Sequence, residues 1–176
     1  VEPEKPKPEW FEWAVSQRPS SNQVTVDNCK IHYLKWTTEK AEKPGILFVH
    51  GGAAHAQWWS FIAPFFAKDR PVAAIDLSGM GDSSRREEYT NAHRVSEMAA
   101  VIEDAGLGPK PVVVGHSYGG TMTMCFCGKH SSELSGAVIV DSFVRPPSDD
   151  NDGPRGSGRP KPYFPDKATI ARRYRL

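Results

Sequence analysis

Four short, uninterrupted apolar runs, separated by segments of helical character, restrict the fold of this chain more than any other feature. They lie at residues 46–49, 72–75, 112–114 and 137–140. A strand that is buried on both faces is apolar along its whole length, because neither side of it meets water. Strands that alternate with helices usually pair in parallel. We therefore predict an α/β fold, with a mostly parallel sheet covered by helices on both faces.

The segments around these runs complete the predicted fold. Residues 23–26 and 30–36 alternate in polarity, which predicts a half-exposed antiparallel pair that turns at residues 27–28. Residues 57–67 are rich in aromatic side chains and contain a proline, which predicts a short or kinked helix. Apolar residues between 91 and 106 recur with helical spacing, so a long helix is expected there.

Composition narrows the class of protein. The chain has 176 residues, of which 39% are hydrophobic and 24% charged, as is typical of one soluble domain or a piece of one. The net charge of +1 gives no argument for nucleic acid, and no apolar run is long enough to span a membrane. No secretory signal is visible, which favours a cytoplasmic location, although a chain that begins at Val1 can already have been processed. We predict no cofactor and no metal, since Cys125 and Cys127 face different sides of a predicted helix.

The third apolar run leads directly into the sequence Gly-His-Ser-Tyr-Gly at residues 115–119, and a helical segment follows. A Gly-x-Ser-x-Gly sequence between a strand and a helix is typical of a nucleophile elbow, a strained turn that lifts its serine above the sheet edge. The pattern alone is weak, since it arises by chance in about one chain in twenty of this length. In its strand and helix context it predicts covalent catalysis by Ser117 rather than an ordinary serine at a helix start.

Two further motifs precede this turn. His-Gly-Gly at residues 50–52 follows the first apolar run, and Asp-Leu-Ser-Gly-Met-Gly-Asp-Ser at residues 76–83 follows the second. In this order the three motifs resemble those of the α/β-hydrolase superfamily, over roughly residues 23–141. The second motif is similar to the family's Asp-x-Pro-Gly-x-Gly-x-Ser loop, with Ser78 in place of the usual proline. The resemblance implies the α/β-hydrolase core fold.

The resemblance also implies roles for individual residues. Ser117 would be the nucleophile, and the backbone N–H groups of Tyr118 and Gly52 would form the oxyanion hole, with Ala53 as the alternative to Gly52. His50 would brace its loop. The residues that would line a substrate pocket are Ala53, His55, Trp58, His116 and Phe143, with Trp59 as a further candidate. For the aromatic residues among them, core packing is an equally good interpretation.

The rest of a catalytic triad is harder to find. In this family the acid and then the histidine follow the serine, but five of the six histidines precede Ser117. His130 lies about thirteen residues along the following helix, nearly 20 Å away at ~1.5 Å per residue. Asp141, at the end of the sixth strand, is the candidate acid. The catalytic histidine is therefore expected outside this chain, in a missing C-terminal segment or a second chain.

These expectations define a domain division and a function. We predict an N-terminal arm at 1–22, a core truncated after the sixth strand at 23–144, and a Pro/Gly-rich loop with the start of a lid at 145–176. The predicted function is a serine hydrolase for carboxylic esters of small to medium acids, with the 176-residue chain alone inactive. A carbon–carbon bond hydrolase and a non-catalytic binding or signalling module of the same fold are the alternatives. Dehalogenase and epoxide hydrolase relatives would require aspartate at the position of Ser117.

Overall fold

Six strands form one mixed sheet in the computed structural model, which describes residues 6–144. The strands are β1 (Ser20–Val26), β2 (Cys29–Trp36), β3 (Ile46–Val49), β4 (Val72–Ile75), β5 (Val112–His116) and β6 (Gly136–Val140). Their order across the sheet is β1-β2-β4-β3-β5-β6. The pairs β1–β2 and β2–β4 are antiparallel, and the other three pairs are parallel. The predicted α/β fold and the antiparallel pairing at its start are confirmed, but the predicted half-exposure holds for β1 alone, because β2 is buried at six of its eight positions.

The helices after β3, β4 and β5 lie in the segments predicted for them, whereas a helix that was not predicted precedes β1. The helices are α1 (Glu9–Ser16), α2 (Ala63–Phe66), α3 (Asn91–Asp104) and α4 (Tyr118–His130), with 3-10 turns at Ala56–Trp59 and Ser131–Glu133. The hydroxyl of Thr90 caps α3 by accepting the N–H of His93 at 3.1 Å. The aromatic-rich segment is divided between a 3-10 turn and α2, and Pro64 lies in the first turn of α2.

A separate hydrophobic core lies on each face of the sheet, as the prediction of helices on both faces requires. On one face, α3 and α4 pack over residues such as Leu47, Ile75 and Val113. On the other face, the 3-10 turn and α2 pack over Phe48, whose ring stacks on Trp59 with centroids 4.6 Å apart. Strands β3 and β4 are buried along their whole length. The centre of the sheet is therefore a fixed platform for the loops that follow these strands.

Strand β6 differs from the prediction. Its apolar run was expected to be buried on both faces, but Val138 is 48% exposed, and Ile139 and Val140 are also exposed. The reason is position, because β6 lies at the end of the strand order and pairs only with β5 among the described strands. An edge strand has one unpaired side, and continuous apolar character does not distinguish it from a central strand.

No helix in the described part of the chain is both long and apolar enough to cross a membrane. The predicted domain division stays a prediction, and its last segment, 145–176, lies outside the described residues.

Candidate active site

The turn at Ser117 joins the end of β5 to the start of α4, as the motif predicts. Ser117 has φ +51° and ψ −116°, a backbone conformation that residues other than glycine seldom adopt. Three hydrogen bonds hold it there. Its N–H donates to the carbonyl of Val140 at 2.9 Å, and its carbonyl accepts the N–H of Thr121 at 3.1 Å and the hydroxyl of Ser142 at 2.7 Å. The side chain of Ser117 is exposed.

The two glycines of the motif are required by close backbone contacts. A Cβ on Gly115 would lie 2.3 Å from the carbonyl oxygen of Gly119, and a Cβ on Gly119 would lie 2.4 Å from that of Val49. Neither position has room for a side chain, because the sharp bend presses α4 against the ends of β3 and β5. The two glycines therefore allow the turn to be tight, and the tight turn sets the position of Ser117.

The loop after β3 lies beside this turn. A Cβ on Gly51 would lie 3.4 Å from Cβ of Ser117, and a Cβ on Gly52 would lie 3.8 Å from Cβ of Tyr118. Gly52 and Ala53 are exposed, and Ala53 has φ +59°. The residues predicted to supply the oxyanion hole are thus neighbours of each other and of Ser117. The first N–H groups of α4 have no partner within the helix, so the helix dipole favours negative charge at this point.

His50 connects this loop to the next one, as the sequence led us to expect. It is fully buried, its Nδ1–H donates to the carbonyl of Gly51 at 2.7 Å, and its Nε2 accepts the N–H of Leu77 at 3.2 Å. Only a neutral imidazole can donate with one nitrogen and accept with the other. Burial favours the same form by lowering the pKa of His50 below its ordinary value. His50 is therefore a fixed link between two loops.

Asp76 holds the same loops by accepting hydrogen bonds from their backbone N–H groups. One carboxylate oxygen accepts the N–H of Ala56 at 2.5 Å, and the other accepts the N–H of Asp82 at 2.9 Å and contacts Nδ1 of His32 at 2.7 Å. Burial acts to raise the pKa of Asp76, but the hydrogen bonds from His32, Asp82 and Ala56 outweigh it and hold the pKa below its ordinary value. An ionised Asp76 thus ties β2 to both loops.

A buried ion-pair network, not predicted from the sequence, joins the loop after β4 to α3. Glu97 on α3 is fully buried and pairs with Arg86 at 2.9 Å and with Arg94 at 3.2 Å. Ser78 joins this network, since its N–H donates to Glu97 at 3.0 Å and its hydroxyl accepts from Arg94 at 2.7 Å. A proline at this position would have no N–H to donate. The available signal was the i, i+3 spacing of Arg94 and Glu97 beside the apolar stripe of α3.

The residues predicted to line a substrate pocket differ in their surroundings. Trp58 and His116 lie together beside Ser117, with their rings stacked at 6.1 Å between centroids. Ala53 and His55 lie in the loop after β3, and both are exposed. Trp59 belongs to the core, where it is 6% exposed. Phe143 is 83% exposed and contributes to no core cluster of the described residues.

The acid and the base of a triad are not assembled in the described residues. Asp141 lies just after β6 and is exposed, with φ +48°. His130 stacks on Phe126 and contacts Glu133 at 3.0 Å, at the far end of α4. Within residues 6–144, no histidine ring makes a hydrogen bond to the hydroxyl of Ser117. The catalytic role of Asp141 and the external histidine stay predictions.

One cluster in the described residues has the composition of a metal site: His32, Asp76 and Asp82, whose ligand atoms lie within 4.8 Å of one another. The possible ligand atoms of His32 and Asp76 already have hydrogen-bond partners. His32 contacts Ser21 through its second nitrogen at 2.9 Å, and both oxygens of Asp76 accept backbone N–H groups. The cluster therefore works as a hydrogen-bonded anchor for the loops.

A mixed sheet with this strand order and a serine turn after β5 defines the class: an α/β protein whose candidate site lies at the carboxyl ends of its parallel strands. The chain belongs to the α/β-hydrolase fold family, whose model matches residues 44–172.

Individual relatives differ in chemistry. The chain is 34% identical over 99 residues to lipase LipV of Mycobacterium tuberculosis, covering 56% of this chain and 37% of the lipase. It is 30% identical over 106 residues to a haloalkane dehalogenase of Sphingobium indicum, covering 57% of this chain and 36% of the dehalogenase. Among solved structures, a membrane phospholipase A matches at 26% identity with a TM-score of 0.66, over 76% of this chain and 43% of the other. The chain spans less than half of each of these proteins.

Proposed function

We propose that this chain carries the nucleophile side of a serine hydrolase active site that acts on carboxylic esters of small to medium acids. The observation that carries the proposal is the exposed Ser117, held at a left-handed bend at the start of α4 and beside the Gly52 loop. Family membership and the similarity to a lipase support a hydrolase.

In the proposed reaction, Oγ of Ser117 attacks the ester carbonyl, and the bond to the alcohol breaks to leave an acyl-enzyme that water hydrolyses. The backbone N–H groups of Tyr118 and Gly52 hold the oxyanion, each contributing roughly 3–4 kcal/mol of transition-state stabilisation. The hydroxyl proton passes to a histidine outside this chain, which returns it to the leaving alcohol. Asp141 is the candidate acid that orients this histidine.

Serine at position 117 also distinguishes this proposal from the chemistry of the dehalogenase relative. Displacement of a halide in that chemistry requires a carboxylate nucleophile, and the turn of this chain carries a hydroxyl. An alkoxide attack on an acyl carbon is the reaction that an N–H pair beside the serine can assist, because the charge develops on the carbonyl oxygen.

A fluorophosphonate probe tests the proposal on a polypeptide that continues past Leu176. We expect labelling at Ser117, loss of labelling in Ser117→Ala, and unchanged labelling in Ser132→Ala, which changes an exposed serine after α4. Absence of labelling in the extended polypeptide would support the non-catalytic module instead. The 176-residue chain should turn over p-nitrophenyl butyrate little or not at all, and turnover that His116→Ala abolishes would contradict the external histidine.

A further inference from the structure

The turn at Ser117 is held from the end of β6 as well as from α4. The N–H of Ser117 donates to the carbonyl of Val140 at 2.9 Å, and the carbonyl of Ser117 accepts the hydroxyl of Ser142 at 2.7 Å. Asp141, between these two partners, has φ +48°, a left-handed conformation in which the chain leaves the direction of the strand. The end of β6 therefore contacts both polar backbone groups of the candidate nucleophile, and Ser142 does so with its side chain.

The bond from Ser142 acts on the peptide group that joins Ser117 to Tyr118. A peptide group is planar and trans, so its carbonyl and its N–H point in opposite directions. The carbonyl belongs to Ser117, and the N–H belongs to Tyr118, the residue proposed to supply one oxyanion donor. A bond that fixes the direction of the carbonyl therefore also fixes the direction of this N–H. A donor on the carbonyl also polarises the peptide group, which makes its N–H a stronger donor.

Two donors share this carbonyl. The N–H of Thr121 reaches it at 3.1 Å from the first turn of α4, and the hydroxyl of Ser142 reaches it at 2.7 Å from the segment after β6. A carbonyl oxygen has two lone pairs, so the two bonds coexist. Only the bond from Ser142 connects the peptide group to the segment after the neighbouring strand. The conformation of Ser117, with φ +51° and ψ −116°, is strained, and such a conformation persists only where surrounding contacts hold it.

Gly120 leaves free the space that this hydroxyl occupies. A Cβ on Gly120 would overlap with Oγ of Ser142 and would lie 3.1 Å from the carbonyl oxygen of Gly115. The preceding Gly119 is required for a different reason, since its Cβ would meet the carbonyl of Val49. The second of the two adjacent glycines is therefore matched to Ser142, because a side chain there would push the hydroxyl away from the carbonyl of Ser117.

We propose that Ser142 is a positioning residue for the oxyanion hole, an inference that rests on the proposed function. Ser142 touches no reacting atom. Its hydroxyl holds the peptide group between Ser117 and Tyr118, so that the Tyr118 N–H already points at the oxyanion when the charge forms. Donors that need no reorientation at that moment stabilise the transition state most strongly.

Labelling kinetics of the polypeptide that continues past Leu176 test the proposal. In Ser142→Ala we expect the second-order rate constant of fluorophosphonate labelling at Ser117 to fall about tenfold, a part of the roughly 10²–10³-fold effect of deleting an oxyanion donor. With p-nitrophenyl butyrate, kcat should fall by a similar factor while KM changes by less than about twofold, because acylation and deacylation both pass through an oxyanion. Ser142→Thr keeps the hydroxyl and should keep both rates.

Ser135→Ala is the matched control. Ser135 lies just before β6, and its hydroxyl donates to the carbonyl of Lys110, before β5. It therefore makes the same kind of bond between the same two parallel strands, but at the end away from Ser117. Both variants should lower the urea midpoint of unfolding by similar small amounts, whereas Ser142→Ala alone should slow labelling. A purely structural role of Ser142 would not produce this difference.

An amide spectrum reports on the peptide group without any reaction. The chain has five tyrosines, so ¹⁵N-tyrosine labelling of the same polypeptide gives a sparse spectrum, in which Tyr118→Phe identifies the signal of Tyr118. Ser142→Ala should shift this signal, because the hydrogen bond to the carbonyl of the same peptide group is lost. Ser135→Ala should leave it in place.

Three results would overturn the inference. They are labelling of Ser117 at equal rates in Ser142→Ala and Ser135→Ala, equal slowing in Ser142→Ala and Ser142→Thr, and an unchanged Tyr118 signal in the folded Ser142→Ala variant. Absence of labelling in the unchanged polypeptide would contradict the proposed hydrolase instead. The Tyr118 signal would then still decide whether Ser142 orients the peptide group.

Discussion

On one side of β5, the strands β3 and β4 are buried throughout, and buried hydrogen bonds join the loops that follow them. On the other side, β6 exposes four successive apolar residues, and Asp141 and Phe143 beyond it are also exposed. Both sides have strands of similar composition. The difference teaches that residues 6–144 position the nucleophile and the loop beside it, whereas they leave the apolar side chains of β6 exposed.

The largest effect is expected from the buried ion pairs of the loop side. Glu97→Gln removes the negative charge between Arg86 and Arg94, and leaves two buried guanidinium groups without a counter-charge. We expect a loss of about 3–4 kcal/mol in the free energy of unfolding, measured by urea titration. Glu103→Gln, on the exposed side of the same helix, is the control and should change it by less than about 0.5 kcal/mol. Equal effects of the two variants would show that the network does not stabilise the loop side.

The next effect concerns the contact between α4 and β3. In Gly119→Ala the new Cβ meets the carbonyl oxygens of Val49 and His50, which are backbone atoms and move only if the strand shifts. We expect a loss of about 2–3 kcal/mol in unfolding free energy. Gly128→Ala in the same helix meets nothing within 4 Å, and should gain up to about 1 kcal/mol through helix propensity. If both variants had the same stability, the close approach at Gly119 would be refuted.

A smaller effect should appear in the pH dependence of stability. The pKa of Asp76 is lowered in the folded protein from its ordinary 3.8, so its contribution is fully present above that value and is lost as the pH falls below it. We expect the unfolding free energy to decline between about pH 5 and pH 2, and this decline to be shallower in Asp76→Asn. Asp27→Asn changes an exposed carboxylate in the β1–β2 turn and should leave the slope unchanged. A slope that Asp76→Asn does not alter would contradict the role given to this carboxylate.

The smallest effect is expected at β6. Val138→Thr changes a side chain that is 48% exposed, and should alter the unfolding free energy by less than about 0.5 kcal/mol. Val113→Thr makes the same exchange at a fully buried position in β5 and should cost about 1–3 kcal/mol, because the hydroxyl is desolvated. Comparable losses in urea titrations of the two variants would mean that β6 is covered, and the contrast between the two sides would fail.

Much of this architecture was predictable from local patterns. The start of α4 at Tyr118, the pairing of β1 with β2 and the division of the aromatic segment each follow from a few adjacent residues. The burial of a strand is different. The runs of β4 and β6 look alike in sequence, yet β4 is central and β6 lies at the edge, because strand order depends on which distant segments pair.

The amino-acid sequence by itself determined that a serine would stand at a glycine-flanked bend between a strand and a helix, since only glycine fits where strand and helix come so close. Tertiary structure alone decided the rest. It enclosed Glu97 between two arginines and set Gly52 beside Tyr118. Gly52 and Tyr118 are far apart along the chain, and Ser78 and Arg86 belong to a different segment from Glu97, so their contacts depend on distance in space.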